Sequence, residues 1–259
     1  MMYRSKRKKK SFILLYLLVL ICLAVVGFWF FFIHGQKPAR RTEELGKIEG
    51  YENLNIHEEV EAQEGSFDVP PFSGEPFYII QDKPSITEDE KEGAKESYIH
   101  LSDLDSLKRC GVVYASLSLD TLPEDDRESI GMVKPSGWHT ARYDDLVEDK
   151  YLYNRCHLIA HCLSGLNAEE KNLVTGTRYM NVSGMLPFEV ETVRYIEKTG
   201  NHVFYRVTPI FEGEDLVCRG VRMEAYSIED NGKLAFDVFC YNVQPGIVID
   251  YRTGDSKRE

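Results

Sequence analysis

The sequence predicts a mixed α+β domain preceded by one transmembrane helix. Three observations carry that expectation. An uncharged, strongly apolar stretch runs from Ser11 to Ile33. Beyond it lie several segments rich in β-branched and aromatic residues, and between two of these sits one segment with clear helix start and stop signals. Strands flanking a few helices make an α+β arrangement.

In chain order, residues 1–10 carry Arg4, Lys6, Arg7, Lys8, Lys9 and Lys10 and read as a basic cytoplasmic tail. Residues 11–33 are long enough to cross a bilayer as a helix at roughly 1.5 Å per residue. A cleaved signal peptide, giving a secreted protein, is the competing reading. The apolar run exceeds the usual ~7–15 residue core of such peptides, and it ends in the bulky Phe28-Trp29-Phe30-Phe31-Phe32. An uncleaved, single-pass anchor with the rest of the chain extracytoplasmic is therefore expected. Cys22 follows Val19, Leu20 and Ile21, without the small residues of a lipoprotein site. Residues 34–69 read as an acidic tether, 70–254 as the folded domain and 255–259 as a short tail.

Within the domain, Val112 to Leu119 is an expected strand, and Ser136-Gly137-Trp138 an expected turn. Pro187 to Lys198 reads as a helix, with proline and Glu189 early, Lys198 late and Gly200 just beyond. Val203 to Val207, Leu216 to Met223 and Leu234 to Val243 read as strands, with Asn231-Gly232 as a hairpin turn. Cys110, Cys156, Cys162, Cys218 and Cys240 lie beyond the apolar stretch. An odd number cannot all pair within one chain, and the expected location permits a disulfide without requiring one.

A formal net charge of -11 would disfavour a polyanionic ligand if it were spread evenly. It is not. Arg41 to Pro70 carries nine acidic and two basic side chains, and Pro71 to Val133 fourteen and six. Lys134 to Arg222, which holds the motifs below, carries twelve and eleven. That region is near neutral and can hold a polyanion through a few arginines.

The run Tyr153-Asn154-Arg155-Cys156-His157-Leu158-Ile159-Ala160-His161-Cys162-Leu163, with Asn181 and Glu189 downstream, concentrates the reactive residue types. A histidine beside an arginine, an amide oxygen and a carboxylate suit phosphodiester hydrolysis. Imidazole takes a proton from water, and a hard divalent cation stabilises charge on phosphate oxygens. His157 is the candidate base, Asn181 the candidate metal ligand, and Glu189 a candidate for orienting metal-bound water. Arg155 and Arg178 are candidates for phosphate contact, because guanidinium binds two phosphate oxygens at once; Arg142 is a weaker one. Trp138 and Tyr179 offer stacking surfaces or core packing.

Asn154-Arg155-Cys156-His157, then Asn172-Leu173-Val174-Thr175-Gly176-Thr177-Arg178-Tyr179-Met180-Asn181 and Met185-Leu186-Pro187-Phe188-Glu189, resemble the DNA/RNA non-specific endonuclease family. This is the ββα-metal, or His-Me finger, group, and within it the blocks resemble the streptococcal-type secreted and DNA-entry nucleases. The resemblance implies a ββα-metal core with a central antiparallel sheet over residues 70–254. It also implies Mg²⁺ or a similar divalent cation on Asn181, His157 as general base, Arg155 and Glu189 at the catalytic centre, and Asn172 as a brace. DNA and possibly RNA would be cut to products carrying 5′-phosphates. The family's common Asp-Arg-Gly-His reads Asn154-Arg155-Cys156-His157 here. Asn154 removes a charge that helps orient neighbouring groups, and Cys156 adds bulk where the backbone is tight. Two functional alternatives remain. One is a catalytically inactive module that binds nucleic acid or a surface partner. The other is a zinc site at Cys156, His157, His161 and Cys162, which the spacing disfavours because a strand turns adjacent residues to opposite faces. A Cys-His hydrolase lacks any local signature around either cysteine.

Overall fold

A six-stranded antiparallel sheet organises the computed structural model, which describes residues 69–259. The expected tail and anchor at 1–33, and all but the end of the expected tether, lie outside the described residues. Among the described residues no helix is long and apolar enough to cross a membrane.

The elements are β1 (Phe77–Gln81), α1 (Glu88–Gly93), β2 (Tyr98–Leu101), β3 (Val113–Leu117), β4 (Tyr153–His157), α2 (His161–Ser164), β5 (Leu173–Thr177), α3 (Leu186–Thr199), β6 (Val203–Ile210), β7 (Gly220–Ser227), β8 (Ala235–Tyr241), β9 (Ile247–Ile249) and β10 (Ser256–Arg258). The large sheet runs β1-β8-β7-β6-β3-β2, while β4 pairs with β5 and β9 with β10. Alternation sets the sheet's two faces. Val113, Ala115 and Leu117, then Val203, Tyr205 and Val207, then Val221, Met223 and Ala225, then Phe236, Val238 and Cys240 all enter one core. Helix α3 supplies Phe188, Val193 and Ile196 to it, with Phe188 edge-on to Phe77 at 5.0 Å between ring centroids.

The opposite face carries a cross-strand charge ladder. Arg206 lies opposite Glu224, and Glu224 opposite Asp237. Arg206 pairs with Glu224 at 2.5 Å and with Glu90 of α1 at 3.1 Å, and Arg222 pairs with Asp237 at 2.6 Å.

Helix α3 matches its signals, with proline in its first turn and Gly200 closing it in the left-handed region at φ 71°. The Asn231-Gly232 turn is present, both residues having positive φ. Two expectations need correction. The strand expected over Leu216 to Met223 begins at Gly220, because the N–H groups of Leu216 and Val217 both donate to the Tyr251 carbonyl rather than to the sheet. The short tail expected at 255–259 includes β10, which pairs with β9, and Arg258 bonds Asp145. Its charged sequence carries no apolar alternation from which a strand could be read. No disulfide joins the five described cysteines.

Candidate active site

The β4–β5 hairpin, followed by a helical stretch ending in α3, gathers the motif residues. In β4, alternation sends Cys156 into the main core, fully buried. Space for its sulfur comes from Gly176 of β5: a side-chain carbon added there would stand 2.4 Å from Cys156 Sγ and 2.5 Å from Met180 Cε. The bulk that cysteine adds is thus absorbed by a glycine on the neighbouring strand. Burial raises the Cys156 thiol well above its ordinary pKa, the opposite of what a nucleophile or zinc ligand needs. No group of three or more His, Cys, Asp or Glu able to hold a metal occurs among the described residues, so the zinc reading has no cluster to rest on.

His157 ends β4 and is buried. Its Nε2 lies 2.9 Å from the Asn167 carbonyl oxygen, which can only accept, so Nε2 carries the proton and donates it. Nδ1 is left with its lone pair, facing an Arg127 nitrogen at 3.5 Å. Burial, foremost, lowers the His157 pKa to about 4, and the nearby Arg127 charge acts in the same direction. The ring is therefore neutral at pH 7, in one defined tautomer.

Asn172 is wholly buried and bonds the Ile159 backbone from both sides. Its Oδ1 accepts the Ile159 N–H at 2.9 Å, and its Nδ2 donates to the Ile159 carbonyl at 2.9 Å. The Asn172 carbonyl also accepts the N–H of Leu158. It braces the chain just after His157.

Asn181 sits in a π-helical turn, Met180–Met185, that runs directly into α3. Such wide turns recur at functional sites. Eight residues on, Glu189 occupies the first turn of α3, only 7% exposed. Burial raises its carboxyl to about pKa 8, opposed by the charge of Arg127.

A cleft of about 530 Å³ is walled by Asn181, Arg127, Arg155, Arg178, Asn154 and Trp138, among others. His157 and Glu189 are not on its wall; both are buried, and Arg127 acts on both while also lining the cleft. The arginines differ in freedom. Arg155 stacks on Trp138 at 3.9 Å and donates from Nε to the Val133 carbonyl and from Nη2 to the Gly131 carbonyl, which holds its guanidinium against the 131–133 loop. Arg178 pairs with Asp149 at 2.8 Å, while its Nε is buried without a partner. Arg142 pairs with Asp144 and is not on the cleft wall. Tyr179 does not line the cleft either. It packs edge-on to Phe72 and donates to the Gly74 carbonyl.

Arg127 was not legible as a site residue. It stands within Glu124-Asp125-Asp126-Arg127-Glu128, which reads as a solvated acidic run. Only the fold brings it to His157 from thirty positions upstream.

Residues 87–229, more than half of the chain, match the family model described as DNA/RNA non-specific endonuclease, and the chain belongs to that family. It is 32% identical over 111 residues to a deoxyribonuclease of Streptococcus dysgalactiae subsp. equisimilis, an alignment covering 41% of this chain and 33% of the relative. The chain thus spans about a third of that curated relative's length. Among solved structures it is similar to NucA from Streptococcus agalactiae with a magnesium ion bound, at 26% identity and a TM-score of 0.57, covering 63% of this chain and 79% of that one. It is also similar to Sda1 nuclease with a bound zinc ion, at 27% identity and a TM-score of 0.53, covering 62% and 82%.

Proposed function

We propose that the chain is a metal-dependent endonuclease that hydrolyses phosphodiester bonds of DNA, and of RNA, with little sequence preference. Its domain would stand outside the cytoplasm on the anchor at 11–33. The observation that carries the reading is the His157 ring: buried, neutral at working pH, with Nε2 committed as donor and Nδ1 left as acceptor beside an arginine-lined cleft.

A general base needs an unprotonated nitrogen near the reacting water. Nδ1 would take a proton from water as the water oxygen bonds to phosphorus and the bond from phosphorus to the 3′ oxygen breaks; the departing 3′ oxygen would take a proton from solvent water, giving a 3′-hydroxyl and a 5′-phosphate. The Asn167 carbonyl, already accepting from Nε2, would stabilise the imidazolium that forms. An Arg127 nitrogen lies 3.5 Å from Nδ1, and Arg178 shares the cleft wall with Arg127; both can meet phosphate oxygens. Arg155, tied to backbone carbonyls through Nε and Nη2, would shape the cleft and offer its other N–H groups to phosphate. Asn154 on the same wall would support it.

The donor chemistry fits a hard divalent cation. Asn181 presents an amide oxygen at the cleft, and Glu189 is a buried carboxyl that burial alone keeps from ionising. Mg²⁺ commonly takes few protein ligands and keeps its waters. Asn181 would hold the ion and Glu189 would orient its waters; the bound ion would supply positive charge to the phosphate oxygens. A binding-only module would not require one tautomer of a buried, neutral histidine. Incubation of the purified chain with closed circular DNA, with Mg²⁺ or EDTA, tests the proposal. Nicking that needs the metal supports it, and no nicking under any divalent cation contradicts it.

A further inference from the structure

We infer that Thr177 is a positioning residue for Asn181, and that Asn242 and Val243, in the C-terminal part of the chain, fix Thr177 in turn. The inference rests on the proposed role of Asn181 as metal ligand. Thr177 is the last residue of β5, and the helical stretch that carries Asn181 starts at the next residue.

Three bonds converge on it. Its hydroxyl oxygen accepts the N–H of Met180 at 3.0 Å, as a threonine does at a helix N-cap. Met180 immediately precedes Asn181. The hydroxyl's single proton goes to the Val243 carbonyl at 2.7 Å. Its backbone N–H donates to Asn242 Oδ1, also at 2.7 Å.

Asn242 is itself immobilised. It is wholly buried, and its Nδ2 donates to the carbonyls of Thr175 and Cys218 at 3.0 and 2.9 Å. Its N–H donates to the Arg219 carbonyl, and its own carbonyl accepts the Tyr251 hydroxyl at 2.7 Å. Thr177 and Met180 are as fully buried, so water does not replace a bond lost there. Downstream, the Asn181 carbonyl accepts the N–H of Leu186. The segment bearing the amide ligand is therefore pinned on both sides: by Thr177 before it and by the π-turn after it. Residues 242 and 243 lie beyond the span matched by the family model, so the strap is read from this chain's own geometry.

A cap that only stabilised the fold would lower the melting temperature and leave metal binding alone. A positioning residue alters metal binding in the folded protein. The test uses the full-length chain in mild detergent and compares wild type with Thr177→Val, Thr177→Ser, Asn181→Ala and the remote core variant Val238→Ala. Mg²⁺ binding is measured by titration calorimetry without nucleic acid, beside the Mg²⁺ needed for half-maximal nicking. Thr177→Val keeps shape but loses the hydroxyl, and should weaken binding by about 10-fold or more, the scale of losses around metal ligands. Thr177→Ser keeps the hydroxyl and should bind within about 2-fold of wild type on the same argument. Val238→Ala should melt earlier and bind normally. Wild-type affinity in Thr177→Val, or equal weakening in Thr177→Val, Thr177→Ser and Val238→Ala, would overturn the inference.

A second reading needs no variant. In metal-free wild type the Met180 amide should exchange hydrogen as slowly as the amides of β6 and β7, and fast exchange there would also overturn the inference. If Asn181→Ala binds Mg²⁺ like wild type, the ligand assignment itself has failed and the inference falls with it. That failure is distinct, because it leaves the exchange result intact.

Discussion

The two faces of this domain both bury charge, and they treat it differently. On the outer face of the sheet, Glu224 is 1% exposed but lies between Arg206 and Arg222, and Asp237 is bonded by both Arg222 and Gln81. On the finger side, Glu189 is buried to a similar degree, yet burial prevails over the charge of Arg127 and its pKa rises to about 8. His157 likewise falls to about 4. Paired buried charge is a structural device, whereas Glu189 and His157 have shifted pKa values and feel the charge of Arg127, which lines the cleft, and that combination is the pattern expected of a catalytic site.

Removing the base should have the largest effect. His157→Ala should slow DNA cleavage by about 10²–10⁴-fold, the usual worth of a general base, while Mg²⁺ binding persists. Single-turnover nicking beside calorimetric titration checks both halves. Asn181→Ala comes next, with metal affinity or activity falling by about 10–100-fold. Its residual activity should need more Mg²⁺, and unchanged Mg²⁺ dependence would count against the ligand role.

The comparison between faces is sharpest in two charge-removing variants of similar chemistry. Glu224→Gln removes the carboxylate shared by Arg206 and Arg222 but leaves them Glu90 and Asp237, and should cost about 1–3 kcal/mol of stability, with turnover of the folded protein near normal. Glu189→Gln should do the reverse. A carboxyl whose folded pKa exceeds its ordinary value favours the folded state below about pH 4.5 and loses that contribution as pH rises through about 8. The glutamine variant, lacking this penalty, should melt higher than wild type in metal-free buffer at pH 8–9, yet cleave DNA more slowly. His157 acts with the opposite sign. Its folded pKa lies below the ordinary 6.5, so its contribution is present above that value and lost as pH falls through about 4. Thermal melts of His157→Ala should therefore show a weaker acid-side loss of stability than wild type.

What was legible in the sequence follows from what is local. Helix α3, bounded by Pro187 and Gly200, and the Asn231-Gly232 turn follow from backbone preferences of a few adjacent residues. The order of the motif blocks brought His157, Asn181, Glu189 and Asn172 into view, and the fold gathers them on one finger. What could not be read is long-range. Arg127 reaches His157 across thirty positions from a run that looks like solvated surface. Arg155, expected on phosphate, lines the cleft while Nε and Nη2 each donate to a backbone carbonyl, of Val133 and Gly131, a pairing no local pattern encodes. The space for Cys156 depends on Gly176, which pairs with Asn154 and comes diagonally beside Cys156 only once β4 and β5 pair.

The central claim is that His157 acts as a neutral base in a metal-dependent nuclease. It is tested most directly by the nicking rate of closed circular DNA, measured for wild type and His157→Ala from pH 4 to 8 with Mg²⁺ and with EDTA. Wild type should nick only with the metal, keep its activity to about pH 5 and lose it toward pH 4, where the ring becomes protonated. His157→Ala should be at least about 10²-fold slower throughout, with no such acid limb. A folded His157→Ala chain that nicks at the wild-type rate, or wild-type nicking untouched by EDTA, would contradict the claim.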